Sequence, residues 1–167
     1  MGAWYAFYTK SRHEKRVHRA LLAEGRESFL PLRRVMRKWA DRRREVELPL
    51  FPGYIFVSCS DVDEMWQIVR NEGVVRVLGA APTRPTHVPL EEIEGIRRAQ
   101  EHGFVLEPHA YVRKGKKVRV TRGPLAGIEG VIMEDPRSTK LVLSVHAIGR
   151  SAVLEIDSTC VEPIGPD

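Results

Sequence analysis

The run Phe51-Pro52-Gly53-Tyr54-Ile55-Phe56-Val57 constrains this chain more than any other stretch. Pro52-Gly53 signals a bend, and Tyr54 to Val57 is aromatic or β-branched throughout, so the bend opens onto a strand. Alternation along that strand sets Tyr54 and Phe56 on one face and Ile55 and Val57 on the other. A strand apolar on both faces leaves two arrangements. One face fills a core while the other forms an aromatic surface, or helices bury both; periodicity does not choose between them.

Trp4 to Thr9 has strand character. The Ser11-x-x-Glu14 spacing matches a capping box and predicts a helix with Val17, Ala20, Leu21 and Glu24 at helical spacing, Gly25 as its C-terminal stop, and Arg12, Lys15, Arg16 and Arg19 outside. His13 and His18 lie five apart, off the spacing of two ligands on one helical face, and are assigned to the surface. From Phe29 to Leu50, extended segments flank Trp39-Ala40-Asp41-Arg42, and Val46, Leu48 and Leu50 alternate against Glu45, Glu47 and Pro49, as in a β-hairpin.

After the central strand, Asp61-Val62-Asp63-Glu64 caps a second helix whose stripe Val62, Met65, Trp66 and Val69 reads as core. Gly73 to Gly79 reads as a strand, Pro82 to Pro89 as an irregular connection, and Glu91 to Arg98 as a short helix with acids early and bases late. This order predicts an α+β fold with helices against an antiparallel sheet.

Residues 101–111 keep no period and carry Gly103 and Pro108, so they are expected to link a first domain, 1–100, to a second, 112–167. Five short alternating runs follow, at Lys117–Thr121, Ile128–Glu134, Lys140–His146, Ala152–Ile156 and Thr159–Glu162, and predict a small β-barrel. Gly123-Pro124, Asp135-Pro136 and Gly149 oppose any long helix there, since proline inside a helix costs about 3 kcal/mol. A permanent β unit is expected to leave the first domain uncovered.

The charge is uneven: residues 1–60 hold 13 Lys+Arg against 6 Asp+Glu, residues 61–100 hold 5 against 7, and residues 101–167 hold 9 against 9. Arg33, Arg34, Arg37, Lys38, Arg42, Arg43 and Arg44 crowd the hairpin tip around Trp39. Cations pair with phosphates and an exposed indole stacks on unpaired bases, which favours nucleic acid over a merely solvated face. Cys59 and Cys160 indicate neither a disulfide framework nor a zinc site. No apolar run approaches the roughly 20 residues of a membrane span, and no leader pattern opens the chain, so the cytoplasm is expected. The chain is expected to act as a monomer. Gly123-Pro124-Leu125-Ala126-Gly127 lacks the Lys-Ser/Thr of a P-loop, and no catalytic or metal-binding constellation appears; a binding protein without cofactor or metal is expected, not an enzyme.

Several of these motifs together resemble the NusG family of transcription elongation factors. Trp4-Tyr5, Phe51 to Val57, Gly73 to Arg76, and Pro89 to Ile93-Glu94 match its N-terminal domain. Gly115, Val118, Val120, Gly123, Pro124 and Gly127 match its KOW module, an SH3-like barrel, with Leu125 standing where the family commonly has Phe. The resemblance implies a first domain that seats Phe51, Tyr54, Phe56, Val77, Leu78 and Ile93 on the clamp helices of the RNA polymerase largest subunit and suppresses pausing. It implies DNA contact near the transcription bubble, and a KOW domain that recruits Rho or a ribosomal small-subunit protein. The short spacer and the Arg122 to Gly130 sequence look like the specialised antiterminator branch that includes RfaH and the capsule-locus regulators. The alternative is a KOW-type RNA-binding protein of the ribosome, gripping RNA through Arg113, Lys114, Lys116, Lys117, Arg119 and Arg122.

Overall fold

The computed structural model describes residues 2–81, 83–112 and 114–165, with Asp135 as backbone alone. Pro82, at the head of the expected connection, and Arg113, in the run expected to grip RNA, lie outside the described residues.

The first half of the chain runs β1 (Ala3–Thr9), α1 (Glu14–Ala23), β2 (Ser28–Phe29), β3 (Leu32–Trp39), β4 (Arg42–Pro49), β5 (Tyr54–Cys59), α2 (Val62–Val69), β6 (Val74–Val77), β7 (Gly79–Ala81), β8 (Arg84–Pro85), β9 (His87–Val88) and α3 (Leu90–Glu101). The bend does open onto a central strand: Gly53 takes a φ of 89°, the Tyr54 N–H donates to the Phe51 carbonyl at 3.1 Å, and β5 lies between β2 and β1 in the order β2-β5-β1-β6. The far edge of β1 also pairs β9.

Antiparallel register pairs Tyr8 with Tyr54 and Ala6 with Phe56, so Trp4, Ala6 and Phe56 share a face, and they pack with Phe29, Val88 and the α3 residues Ile93, Ile96 and Ala99. Phe7, Ile55, Val57 and Cys59 face the other way, onto Val17 and Leu21 of α1 and Met65 and Ile68 of α2. Helices thus bury both faces over the centre of the sheet. Each fully buried Phe, Leu or Ile here stabilises the fold by about 1.5–3 kcal/mol.

Local signals held where no tertiary group competed. Gly25, at φ 80°, closes α1 with the Gly25 N–H on the Leu22 carbonyl and the Arg26 N–H on Leu21, a Schellman arrangement. Asp61 accepts the Glu64 N–H at 2.8 Å and caps α2, while Glu64 returns to the Ser60 N–H. The Ser11 capping box does not form. Arg12 turns to φ 67°, His13 precedes the helix without a side-chain cap, and Glu14 points inward to the Gly53 N–H, a buried donor that needs an acceptor more than an exposed helix end does. Only Val17 and Leu21 of the expected α1 stripe are inside, and in α2 the inward residues are Met65 and Ile68, with Val62 and Trp66 exposed. His18 is not a surface residue: half-buried, its Nδ1 bonds the Ser28 hydroxyl at 2.8 Å, and burial lowers its pKa.

The second half contributes β10 (Glu107–Ala110), β11 (Lys116–Val120), β12 (Glu129–Asp135), β13 (Ser138–Val145), β14 (Arg150–Ile156) and β15 (Val161–Pro163), in the order β10-β14-β13-β12-β11-β15. The five expected strands are there, and a sixth comes from the expected linker, with Glu107 opposite Val153 and Ala110 opposite Arg150.

This sheet does not leave the first one uncovered, contrary to expectation. A Cβ at Gly95 of α3 would lie 3.5 Å from Ile128 and 3.8 Å from Leu143, and Arg98 donates to the Pro124 and Ala126 carbonyls at 2.8 and 3.1 Å. One buried cluster runs from Trp4, Phe56 and Ile93 to Leu125, Leu143 and Leu154. The alternating strands carry apolar residues that one small sheet cannot bury alone, and α3 offers a glycine-floored face to receive them.

Candidate functional site

The residues expected at the polymerase-facing patch do not form one surface. Phe51, Phe56, Val77 and Ile93 are buried, Val77 on the α1/α2 side of the sheet with Phe7 and Ile55; Tyr54 and Leu78 are half-buried. What stays open at the end of the Phe56 face is a ledge that includes two residues sequence reasoning missed. Tyr8, 39% exposed, meets Tyr54 edge-on with ring centres 5.5 Å apart, and the Arg76 guanidinium lies 5.9 Å from the Tyr8 ring. Register places Tyr8 directly opposite both Tyr54 and Arg76, so the three side chains form a row across β5, β1 and β6. Alternation in Trp4 to Thr9 would put Tyr8 on the Trp4 face, but only the register brings it beside Tyr54.

The turn beneath the ledge is held from both sides. The Thr9 N–H donates to the Gly53 carbonyl at 2.8 Å, and the Gly53 N–H donates to Glu14 Oε2 at 3.3 Å. A Cβ at Gly53 would sit 3.0 Å from the Tyr8 ring, so glycine is needed both for the positive φ and for the ring above it.

The hairpin β3–β4 forms a two-stranded sheet of its own, closed by Ala40-Asp41 with Ala40 at φ 47°. Its base is fastened to the body: Lys15 Nζ donates to the Glu47 carbonyl at 2.5 Å, the Leu32 N–H to Gln100 Oε1 at 2.7 Å, and Arg33 pairs with Glu107 at 2.7 Å. Arg34 sits 3.6 Å from Glu45. Arg37, Lys38, Arg42, Arg43 and Arg44 are exposed and make no ion pair among the described residues, and Trp39 is 58% exposed.

In the KOW-like turn, Gly123 and Gly127 take φ of 83° and 90°, and Val118, Val120 and Leu125 are buried. A Cβ on Gly115 would collide with Val131 at 2.3 Å. Leu125 therefore faces inward, under carbonyls that Arg98 holds. Of the cations the ribosomal reading needs, Arg119 is paired with Glu129 at 2.7 Å and Arg122 donates to the Thr159 carbonyl; Lys114, Lys116 and Lys117 are exposed. At the contact between the sheets, Glu92 accepts the His146 N–H at 3.2 Å and lies 3.7 Å from its ring; burial raises the Glu92 pKa. Burial, reinforced by Glu64, pushes the Cys59 thiol up to about 12. Among the described residues no group of three or more His, Cys, Asp or Glu could hold a metal ion, and no helix is long and apolar enough to cross a membrane.

A family model described as transcription termination factor nusG matches residues 2–97, over half the chain. The transcription termination/antitermination protein NusG of Yersinia pestis is 32% identical over 171 residues, spanning 95% of this chain and 94% of its own length. The chain belongs to the NusG family. The NusG of Escherichia coli strain K12 is 30% identical over the same span, and that of Buchnera aphidicola 29%. A match over 95% of the chain takes in the C-terminal strands as well as the first sheet. A solved structure described as domain interaction in Thermotoga maritima NusG shares the fold, with a TM-score of 0.55, 24% identity, and coverage of 99% of this chain and 98% of that one.

Proposed function

We propose that this NusG-family chain is a transcription elongation and antitermination factor that holds the clamp helices of the RNA polymerase largest subunit at the Tyr8–Tyr54–Arg76 ledge. The observation that carries the reading is the ledge itself: two edge-packed tyrosines and a guanidinium, Tyr8 and Arg76 exposed and Tyr54 half-buried, on a turn clamped by Glu14 and Thr9. Tyrosine and arginine on a rigid support are the residue types that dominate protein interfaces. The hairpin-tip cations Arg37, Lys38, Arg42, Arg43 and Arg44, which make no ion pair among the described residues, supply a sequence-independent grip on nucleic acid near the bubble.

The C-terminal sheet serves a second partner, Rho or a small-subunit ribosomal protein, through the turn around Leu125. Because that turn is packed on α3, recruitment requires the sheet to leave α3. Family membership favours a binding factor over an enzyme and over the ribosomal RNA-binding alternative. Affinity capture of the full chain from lysate is expected to bring down RNA polymerase in stoichiometric amount. Capture of ribosomes without polymerase would contradict the reading.

A further inference from the structure

The hairpin register divides its side chains into two unlike faces. Arg33 opposite Leu48, Val35 opposite Val46, Arg37 opposite Arg44 and Trp39 opposite Arg42 point one way; Arg34 opposite Glu47, Met36 opposite Glu45 and Lys38 opposite Arg43 point the other. The first face holds four arginines, the tryptophan and no acid, and among the described residues only Arg33, at the base, is neutralised, by Glu107. The second holds both glutamates, and Arg34 is already paired there with Glu45.

Like charges directly opposed on a sheet are destabilising, yet Arg37 faces Arg44 with no acid on the same face to relieve them. A phosphate between them would. Two residues nearer the tip, about 7 Å along the strand at 3.4 Å per residue, Trp39 lies beside Arg42 with its indole open. An indole stacks on a base only where the base is unpaired, so this spacing of cation rung and aromatic suits a single strand and wastes the tryptophan on a duplex.

We propose that the hairpin is a one-faced binder of single-stranded nucleic acid, with Arg37 and Arg44 on a phosphate and Trp39 stacked on an adjacent base next to Arg42. The proposal rests on the nucleic-acid role given to the hairpin above and assigns it a face and a ligand class.

The full-length chain permits a matched test, since Arg37→Ala with Arg44→Ala and Lys38→Ala with Arg43→Ala each remove two facing cations from neighbouring rungs of opposite faces. Fluorescence anisotropy with a labelled dT 15-mer, an rU 15-mer and a duplex of equal length reads the outcome, with circular dichroism confirming the fold. The first pair is expected to weaken binding to both single strands about tenfold and the second pair less than about threefold. Trp39→Ala is expected to weaken single-strand binding about tenfold while leaving the duplex unchanged, with Trp39→Phe restoring most of the loss. Equal weakening by the two pairs, or tighter binding of duplex than of single strands by the wild type, would overturn the proposal and leave the hairpin a general phosphate contact. Failure of every probe to bind the wild type, or no loss with either pair, would remove the nucleic-acid role itself.

Discussion

Gly53 depends on two neighbours that no spacing rule connects to it. Its N–H is buried and donates to Glu14, so Glu14→Ala leaves that donor unpaired, at a cost of about 1–3 kcal/mol. Glu14→Gln keeps an acceptor oxygen and is predicted to recover most of the loss. Urea unfolding of the two variants checks this, and an alanine variant as stable as wild type would sink the clamp. The same residue shows where the sequence was legible and where it was not. Gly25 could be placed because a helix end is satisfied by its own backbone. Glu14 could not, because its partner lies 39 positions away across the fold. Tyr8 was hidden for the same reason, since its place in the ledge depends on strand register. The aromatic character of Phe51 and Phe56 was plain in the sequence, but aromatic residues serve cores and interfaces equally well.

At the scale of elements, α3 is the least expected piece. Glu91 to Arg98 was readable as a helix, yet the helix runs from Leu90 to Glu101 and takes up the start of the segment expected to be a linker. Gly95 at its buried midpoint costs the helix about 0.5–1 kcal/mol relative to alanine, and the close approach of Ile128 and Leu143 is the physical reason for a small residue there. The spacing still admits a methyl group in ordinary contact. Gly95→Ala is therefore predicted to raise stability by about 0.5–1 kcal/mol while keeping the two sheets together, whereas Gly95→Leu should wedge them apart. Radii of gyration from small-angle scattering separate the variants; a leucine variant as compact as wild type would show that the α3 contact does not hold the sheets. The five C-terminal strands could be read from period-two alternation, but β10 could not, because Glu107-Pro108-His109-Ala110 carries no apolar alternation and is fixed only by pairing with β14.

For the whole molecule, the packing of the second sheet on α3 couples partner binding to titration. Burial is the main cause of the raised Glu92 pKa, opposed by the His146 N–H and ring charge and assisted by Glu91. An acid whose pKa is raised by docking favours the docked form when protonated. The contribution is complete below the ordinary carboxylate range and is lost as pH rises through the raised value. Docking should therefore loosen with rising pH across that window, and Glu92→Gln, which still accepts the His146 N–H, should flatten the dependence. A fluorescence distance between labels on α1 and β13 follows it, and a wild-type distance that shortens with rising pH would reverse the assignment. The central claim, that this chain is a transcription factor held on RNA polymerase by its tyrosine ledge, is tested most directly by titrating purified polymerase with full-length protein and with the Tyr8→Ala, Tyr54→Ala double variant. Interface anchors of this kind contribute about 2 kcal/mol or more each, so the account predicts a Kd at least tenfold weaker with an unchanged circular dichroism spectrum. A folded double variant that binds polymerase as tightly as wild type would contradict it.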